Sequence, residues 1–243
     1  MKTTLLSVAL LLGTSVLGNA TIIDSFNGAL NLNIPSGGAN PSSVSGGNTP
    51  GAIDVVGGSR GVTFTRTAGN GAEQLNIDLG GTDFLEFASG SFDTVTAFLQ
   101  WDGDTNPNSL NTTGLGGIDL TEGAANDQFV IAQHSDRPSL PGNSLILTLT
   151  VYTGSGTGSA TFNSINTSFI GPFVILQIPF ASFSGTPDFA DVGAIELFIS
   201  GNSSPGADLA IDYIETNTAV PEPATLVMSA LGLLGVCLLK RRR

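Results

Sequence analysis

Four sets of side chains have the types and spacing for chemistry. Gly57-Gly58-Ser59-Arg60-Gly61 fits G-x-S-x-G, the pattern that in hydrolases lifts a serine on a strand-to-helix turn. His134 is the single histidine, so the order Ser59, Asp78 or Asp83, His134 is the one triad the chain permits. The residues after Ser59 read RGVTFTRT, a strand pattern and not a helix, and chance matches come easily among 32 glycines. His134, in AQHSDRP, is expected to end a strand at the surface. Next, Asp102-Gly103-Asp104-Thr105-Asn106 offers oxygen ligands at alternate positions of a turn, which suits Ca²⁺. It is no EF-hand, because Pro107 and Thr113 occupy its sixth and twelfth positions. Aspartate and asparagine also gather in ordinary turns, where they bond their own backbone. Third, Trp101, Tyr152 and Tyr213 carry rings able to stack on sugars. Trp101 shares its strand face with Leu99 and Ala97, which favours the core. Last, acids paired at about 5–9 Å would suit glycoside hydrolysis, but no strand carries an E-x-D-x-E run. One cysteine and one histidine leave nothing for zinc.

Strands must position these groups. Apolar residues alternate with polar ones in RGVTFTRT (Val62, Phe64), EQLNIDL (Leu75, Ile77, Leu79), DTVTAFLQW (Val95, Ala97, Leu99, Trp101) and SLILTLTVYT (Leu145, Leu147, Leu149, Val151). PFVILQIPF (172–180) is apolar on both faces, as a covered central strand would be. IELFIS (195–200) and DLAIDYIET (208–216) complete the set. Between them, 35–51 and 102–117 read as long surface loops, and TGSGTG (153–158) and GNSSPG (201–206) as hairpin connections. The pattern predicts an all-β domain over 21–219, with about nine to twelve strands in two packed antiparallel sheets. No repeat of solenoid or propeller length is present.

Residues 21–219 hold three cations, Arg60, Arg66 and Arg137, against 19 acids, a balance of −16. Nucleic acid is therefore excluded as a partner, and long-range attraction favours cations. The one cysteine, Cys237, lies in the apolar tail, so stability in 21–219 rests on packing without disulfides.

The two ends read as address labels. Lys2, an apolar run from Leu5 to Leu17, and Gly18-Asn19-Ala20 form a secretory signal peptide, with signal peptidase cutting after Ala20. At the other end Val220-Pro221-Glu222-Pro223 precedes an apolar segment, 224–239, and then Lys240-Arg241-Arg242-Arg243. As a helix that segment would reach about 24 Å, against about 30 Å of hydrocarbon, so its basic end must snorkel. The string VPEPATLVMSALGLLGVCLLKRRR resembles the PEP-CTERM sorting signal of exported bacterial proteins. The resemblance implies a transient transmembrane helix and cleavage by an exosortase near Pro221, Glu222 and Pro223. It also implies delivery to the cell surface or the exopolysaccharide matrix.

Gly117-Ile118-Asp119-Leu120-Thr121-Glu122-Gly123, Leu147–Tyr152, Val192–Leu197 and Ile211–Glu215 are similar to the domain often found ahead of that signal. This second resemblance implies a jelly-roll-like sandwich shaped like carbohydrate-binding modules. It also implies a structural calcium where the first and last strands meet, at Asp24 and Asp212. The expected protein is thus an exported, non-enzymatic surface or matrix protein. The alternatives are a calcium-dependent binder of extracellular polysaccharide and an extracellular hydrolase. Ca²⁺ is the one cofactor candidate.

Overall fold

The computed structural model describes residues 20–47, 54–90, 92–136, 145–164, 172–201 and 208–218. Among them the period-two runs form strands. In chain order these are β1 (Thr21–Asp24), β2 (Leu30–Ile34), β3 (Ser42–Gly47), β4 (Gly61–Ala68), β5 (Glu73–Ile77), β6 (Leu85–Ala88) and β7 (Thr94–Trp101). Then come β8 (Gln128–Asp136), β9 (Ile146–Thr153), β10 (Gly156–Asn163), β11 (Val174–Pro179), β12 (Val192–Ser200) and β13 (Asp208–Asn217). One sheet runs β11-β8-β13-β6-β5-β2, with β1 also on β13, and the other runs β10-β9-β12-β7-β4-β3. All pairings are antiparallel, and the two sheets form a β-sandwich.

Alternation decides what lies between the sheets. Val62, Phe64, Leu99, Trp101, Leu149, Val151, Leu197 and Ile199 point inward from the six-stranded sheet and are fully buried. Leu75, Ile77, Phe87, Phe129, Ile131, Leu209, Ile211 and Ile214 meet them from the seven-stranded sheet in one hydrophobic cluster. The Phe64 and Phe87 rings span the gap edge to face, 5.7 Å apart. Each such side chain contributes about 1.5–3 kcal/mol by leaving water. A bulge between Ile211 and Tyr213 inserts Asp212 into β13. On either side of it β13 changes neighbour, from β6 at Leu209–Ile211 to β1 at Ile214–Thr216.

Several sequence expectations need correction. Residues 42–47 are not loop but the edge strand β3, whose small serines and glycines pair with β4 along its backbone. The 172–180 run is not a covered centre but holds the edge strand β11, where Ile175 stays 45% exposed. Pro179 there lacks the N–H that a further neighbour would need. GNSSPG lies outside the described residues from 202 onward, and the strands before and after it, β12 and β13, belong to different sheets. The short strands β1 and β3 carry the total past twelve. Residues 154–155 do join β9 to β10 as a two-residue hairpin turn. Both terminal segments, 1–19 and 219–243, lie outside the described residues, and no described helix is long and apolar enough to cross a membrane.

Candidate functional site

Trp101 offers no ring to a ligand. It is fully buried on the inner face of β7, and its indole Nε1 donates to Asp24 Oδ2 at 2.8 Å. Asp24 is equally buried. It accepts two hydrogen bonds from Arg60 Nη1, at 2.6 and 2.5 Å, and one from the Phe26 N–H at 2.7 Å. Burial pushes its carboxyl above the ordinary aspartate range, against the opposing pull of Arg60, Trp101 and Phe26. With its oxygens given to these donors, Asp24 is the centre of a buried ion pair and does not fit a calcium shared with Asp212. Asp212 itself is the bulge residue. Its carboxyl is raised first by burial and then by the charge of Asp83.

Asp102 is buried, and its Oδ1 and Oδ2 accept from the backbone N–H groups of Asp104 (3.0 Å) and Asn111 (2.7 Å). Asp104 accepts from the Asn106 N–H, and Asn106 from the Asn108 N–H. These side chains knit the 102–111 loop to its own backbone, and that donor set does not converge on a cation. Among the described residues no three His, Cys, Asp or Glu side chains gather closely enough to hold a metal ion between them. The serine triad also fails. Ser59 is buried ahead of β4 in the six-stranded sheet. His134 is buried rather than terminal, and by alternation it faces the outer side of β8 in the other sheet. Asp78 serves its own turn, accepting from the N–H groups of Gly28 and Asp83. Ala20 is exposed just before β1, while Pro221, Glu222 and Pro223 lie outside the described residues.

The carboxylate pair that the fold does create is Glu73 with Asp93. Glu73 Oε2 accepts from the Gly90 N–H at 2.9 Å, and Asp93 Oδ1 from the Gly71 N–H at 3.0 Å. Burial, reinforced by the neighbouring Asp93, pushes the Glu73 carboxyl up to about 7. Asp93, despite its own burial, is held below the usual range by the Gly71 N–H and the Glu73 carboxyl. Beside them Arg66, fully buried, donates to the Pro35, Gly38 and Gly71 carbonyls and to Asn40 Oδ1. This cluster locks three loops together.

Two outer sheet faces remain. On the six-stranded sheet the hydroxyls satisfy one another: Ser43 with Thr65 (2.8 Å), Thr67 with Thr94 (2.9 Å) and Thr148 with Thr161 (3.1 Å). At its centre Phe98 and Phe198 lie 4.5 Å apart, and Gln100 donates to Glu196. Half-buried Tyr152 stands at the same end as Glu196. Burial, then the Glu196 charge, raises its phenol.

The seven-stranded sheet differs, because its outer face holds a depression of about 290 Å³ lined by Gln74, Asn76, Glu86, Phe87, Ala88, Asp208 and Leu209. Gln74 and Asn76 project outward because Leu75 and Ile77 project inward. Glu86 follows in the same way between Leu85 and Phe87. Asn33 donates to Asn31, and Asn31 Nδ2 donates to Asn76 Oδ1 at 2.6 Å. This directed chain leaves the Asn76 Nδ2 to donate into the groove. The Ser89 N–H, 3.0 Å from Asp208 Oδ1, steadies the opposite wall. Farther along the face Phe84, Phe173 and His134 make a line of rings, with centroid spacings of 6.3 and 6.0 Å. Small Ala210 lies in register between His134 and Glu86. Half-buried Tyr213 follows the bulge on this same face, and burial raises its phenol, with Glu215 and Asp212 adding to the rise. Of the aromatic candidates, Tyr213 is therefore the one on the sheet face that holds the groove. Sequence reasoning missed Gln74, Asn76, Glu86, Asp208, Phe84 and Phe173. The available signal was the polar half of EQLNIDL; of its apolar half Leu75 and Ile77 face the core, whereas Leu79 lies past the end of β5 and is exposed.

Residues 219–243 match the family model of the PEP-CTERM protein-sorting motif. That motif implies export and exosortase processing for sorting to the cell surface. Comparison with curated proteins finds no match. Among solved structures, a family 11 carbohydrate-binding module of the cellulosomal cellulase Lic26A-Cel5E of Clostridium thermocellum is similar at 12% identity. The alignment covers 83% of this chain and 95% of that one, with a TM-score of 0.38. The solution structure of CtCBM11 aligns at 14% identity over 85% of this chain and 98% of its own, with a TM-score of 0.39. The K1 cleaved adhesin domain of Lys-gingipain from Porphyromonas gingivalis W83 aligns at 14% identity over 83% and 99%, with a TM-score of 0.31. These overlaps are loose, and no property passes from those proteins to this chain.

Proposed function

We propose that this protein is a non-enzymatic component of the bacterial surface or exopolysaccharide matrix that binds extracellular polysaccharide along the outer face of its seven-stranded sheet. The observation that carries the reading is the groove. It joins the amides of Gln74 and Asn76 to the carboxylates of Glu86 and Asp208, and the half-exposed rings of Phe84, Phe173 and Tyr213 lie on the same outer face beyond it. Sugar hydroxyls need donors and acceptors in alternation, and the less polar faces of pyranose rings need aromatic surface. The strands supply both without moving. The six-stranded face supports the reading less, since its hydroxyls already bond each other. The alternation of strands between the sheets agrees with a jelly-roll description.

The test is binding of the purified protein to a glycan array, followed by calorimetry on the best hit. Asn76→Ala and Phe173→Ala should each weaken binding at least about tenfold, a loss of roughly 1.4 kcal/mol. Binding should persist in chelator, and no reducing ends should be released. A protein that binds no glycan, or whose binding ignores both substitutions, would refute the proposal.

A further inference from the structure

We infer that one proton, held between Glu73 and Asp93 behind the groove, keeps the groove in its binding shape, so that binding is strong in acid and weakens once that proton leaves; this rests on the polysaccharide-binding reading above and names how that site is regulated. Glu73 and Gln74 are neighbours on β5 that face opposite ways. Gln74 lines the groove, while Glu73 is fully buried behind it. Glu73 Oε2 accepts from the Gly90 N–H, but its Oε1 has no hydrogen-bond partner among the described residues. Asp93 Oδ1 is likewise taken by the Gly71 N–H. A Cβ added to Gly71 or to Gly90 would collide with Asp93 Oδ2 and would lie 3.3 Å from Glu73 Oε1. These two oxygens thus share one cleft between two glycines. A proton on Glu73 Oε1, donated to Asp93 Oδ2, satisfies both. Burial, reinforced by Asp93, keeps that proton on Glu73 up to about pH 7.

The charged groups facing Glu73 are Asp93, ahead of β7, and Arg66 on β4. Arg66 gives its hydrogen bonds to the Pro35, Gly38 and Gly71 carbonyls and to Asn40 Oδ1 rather than to either carboxylate. Loss of the proton to solvent leaves two carboxylates in one dry cleft, where like charges repel. The strain falls on the turn between β6 and β7, which carries Ser89, Gly90 and Asp93. That turn moves as a unit, because the Asp93 N–H donates to the Gly90 carbonyl (3.0 Å) and Ser89 Oγ to the Asp93 carbonyl (3.1 Å). Its first residues also build one end of the groove. Ala88 lines it opposite Gln74, and the Ser89 N–H donates to Asp208 Oδ1. Ionisation of Glu73 therefore loosens the groove wall from behind, and Glu73 acts as a positioning residue that never touches the ligand.

Two readouts on the purified protein test this. Without ligand, amide NMR spectra recorded from about pH 5.5 to about pH 8.5 should show Ala88, Ser89 and Gly90 following one titration with its midpoint at about 7. Glu73→Gln accepts from Gly90 and donates to Asp93 as the protonated acid does, so it should abolish that titration and hold the acid spectrum throughout. Asp93→Asn should move the midpoint down, with melting temperature confirming the fold of each variant. With ligand, isothermal titration calorimetry of two neutral probes, cellohexaose and laminarihexaose, should give at least about tenfold weaker binding at the upper pH than at the lower. Glu73→Gln should bind equally at both. His134→Asn should keep the pH slope, which separates Glu73 from the single histidine on the same face. Amides that do not titrate near neutrality, a midpoint unmoved by Asp93→Asn, a slope that survives Glu73→Gln, or a slope that vanishes in His134→Asn would overturn the inference. If the hexamers bind equally at both pH values, the groove reading stands and only its regulation falls. If neither hexamer binds at either pH, both fall.

Discussion

Replacing Asp24 with leucine tests what holds the centre of the sandwich. The carboxylate sits 2.5 Å from Arg60 Nη1 with both groups fully buried, and it also receives Trp101 Nε1 and the Phe26 N–H. Removing it strands a guanidinium that cannot shed its proton, and orphans two buried donors. Breaking a buried pair from one side costs about 3–5 kcal/mol. For a domain near 200 residues each kcal/mol lowers the melting temperature by about 2–4 °C, so a fall of roughly 6–20 °C is expected. Trp101 is the single tryptophan, and it touches the network directly. Urea unfolding followed by its fluorescence therefore reports on the right place. The double variant Asp24→Leu/Arg60→Met removes both charges and should recover about 2 kcal/mol or more of the loss, since buried pairs can often be exchanged for apolar side chains at little net cost. A single variant that loses under about 1 kcal/mol, or a double variant no more stable than the single, would refute the view that charge desolvation governs this site.

Three further outcomes follow from the geometry. The folded state holds a proton on Glu73 up to about pH 7, while the unfolded chain releases it near the ordinary value of about 4.5. The contribution is thus fully present below the lower value and fades as pH rises toward the upper one, on the order of 1–3 kcal/mol. Unfolding free energy measured across that window should decline, and Glu73→Gln should flatten the decline. Gly69 has φ +97°, and a Cβ there would lie 1.6 Å from Asp93 Oδ1. Gly69→Ala should therefore destabilise by about 1–3 kcal/mol or more in chemical denaturation, and a neutral effect would show the Asp93 nest to be wrongly drawn. Asp102→Ala strips the acceptors from the Asp104 and Asn111 N–H groups. It should cost about 1–3 kcal/mol, whereas a chelator should leave the melting temperature of the parent protein in place. A marked drop on chelation would restore calcium to that loop.

Period-two alternation is enough to identify β4, β7 and β9 with their buried members and to mark β12 and β13 as strands, because a strand's two faces are decided by neighbours two residues away. The terminal sorting motif was equally legible, since its three parts stand in order within 25 residues and need no fold to assemble. Asp24 misled because its partner, Arg60, is 36 residues away in the chain and meets it only once β1 is laid against the end of β13. Trp101 was correctly weighed toward the core by its company on β7, but its indole bond to Asp24 spans 77 residues. The groove was hidden for the same reason. Gln74, Glu86 and Asp208 belong to three strands whose lateral order, β5-β6-β13, is set by sheet topology. Alternation tells which residues face outward; only pairing register tells which outward residues become neighbours. Edge or centre was likewise beyond local pattern. The 172–180 run is apolar enough for either place, and it was the filling of the sheet by β8 and β13 that left it at the rim.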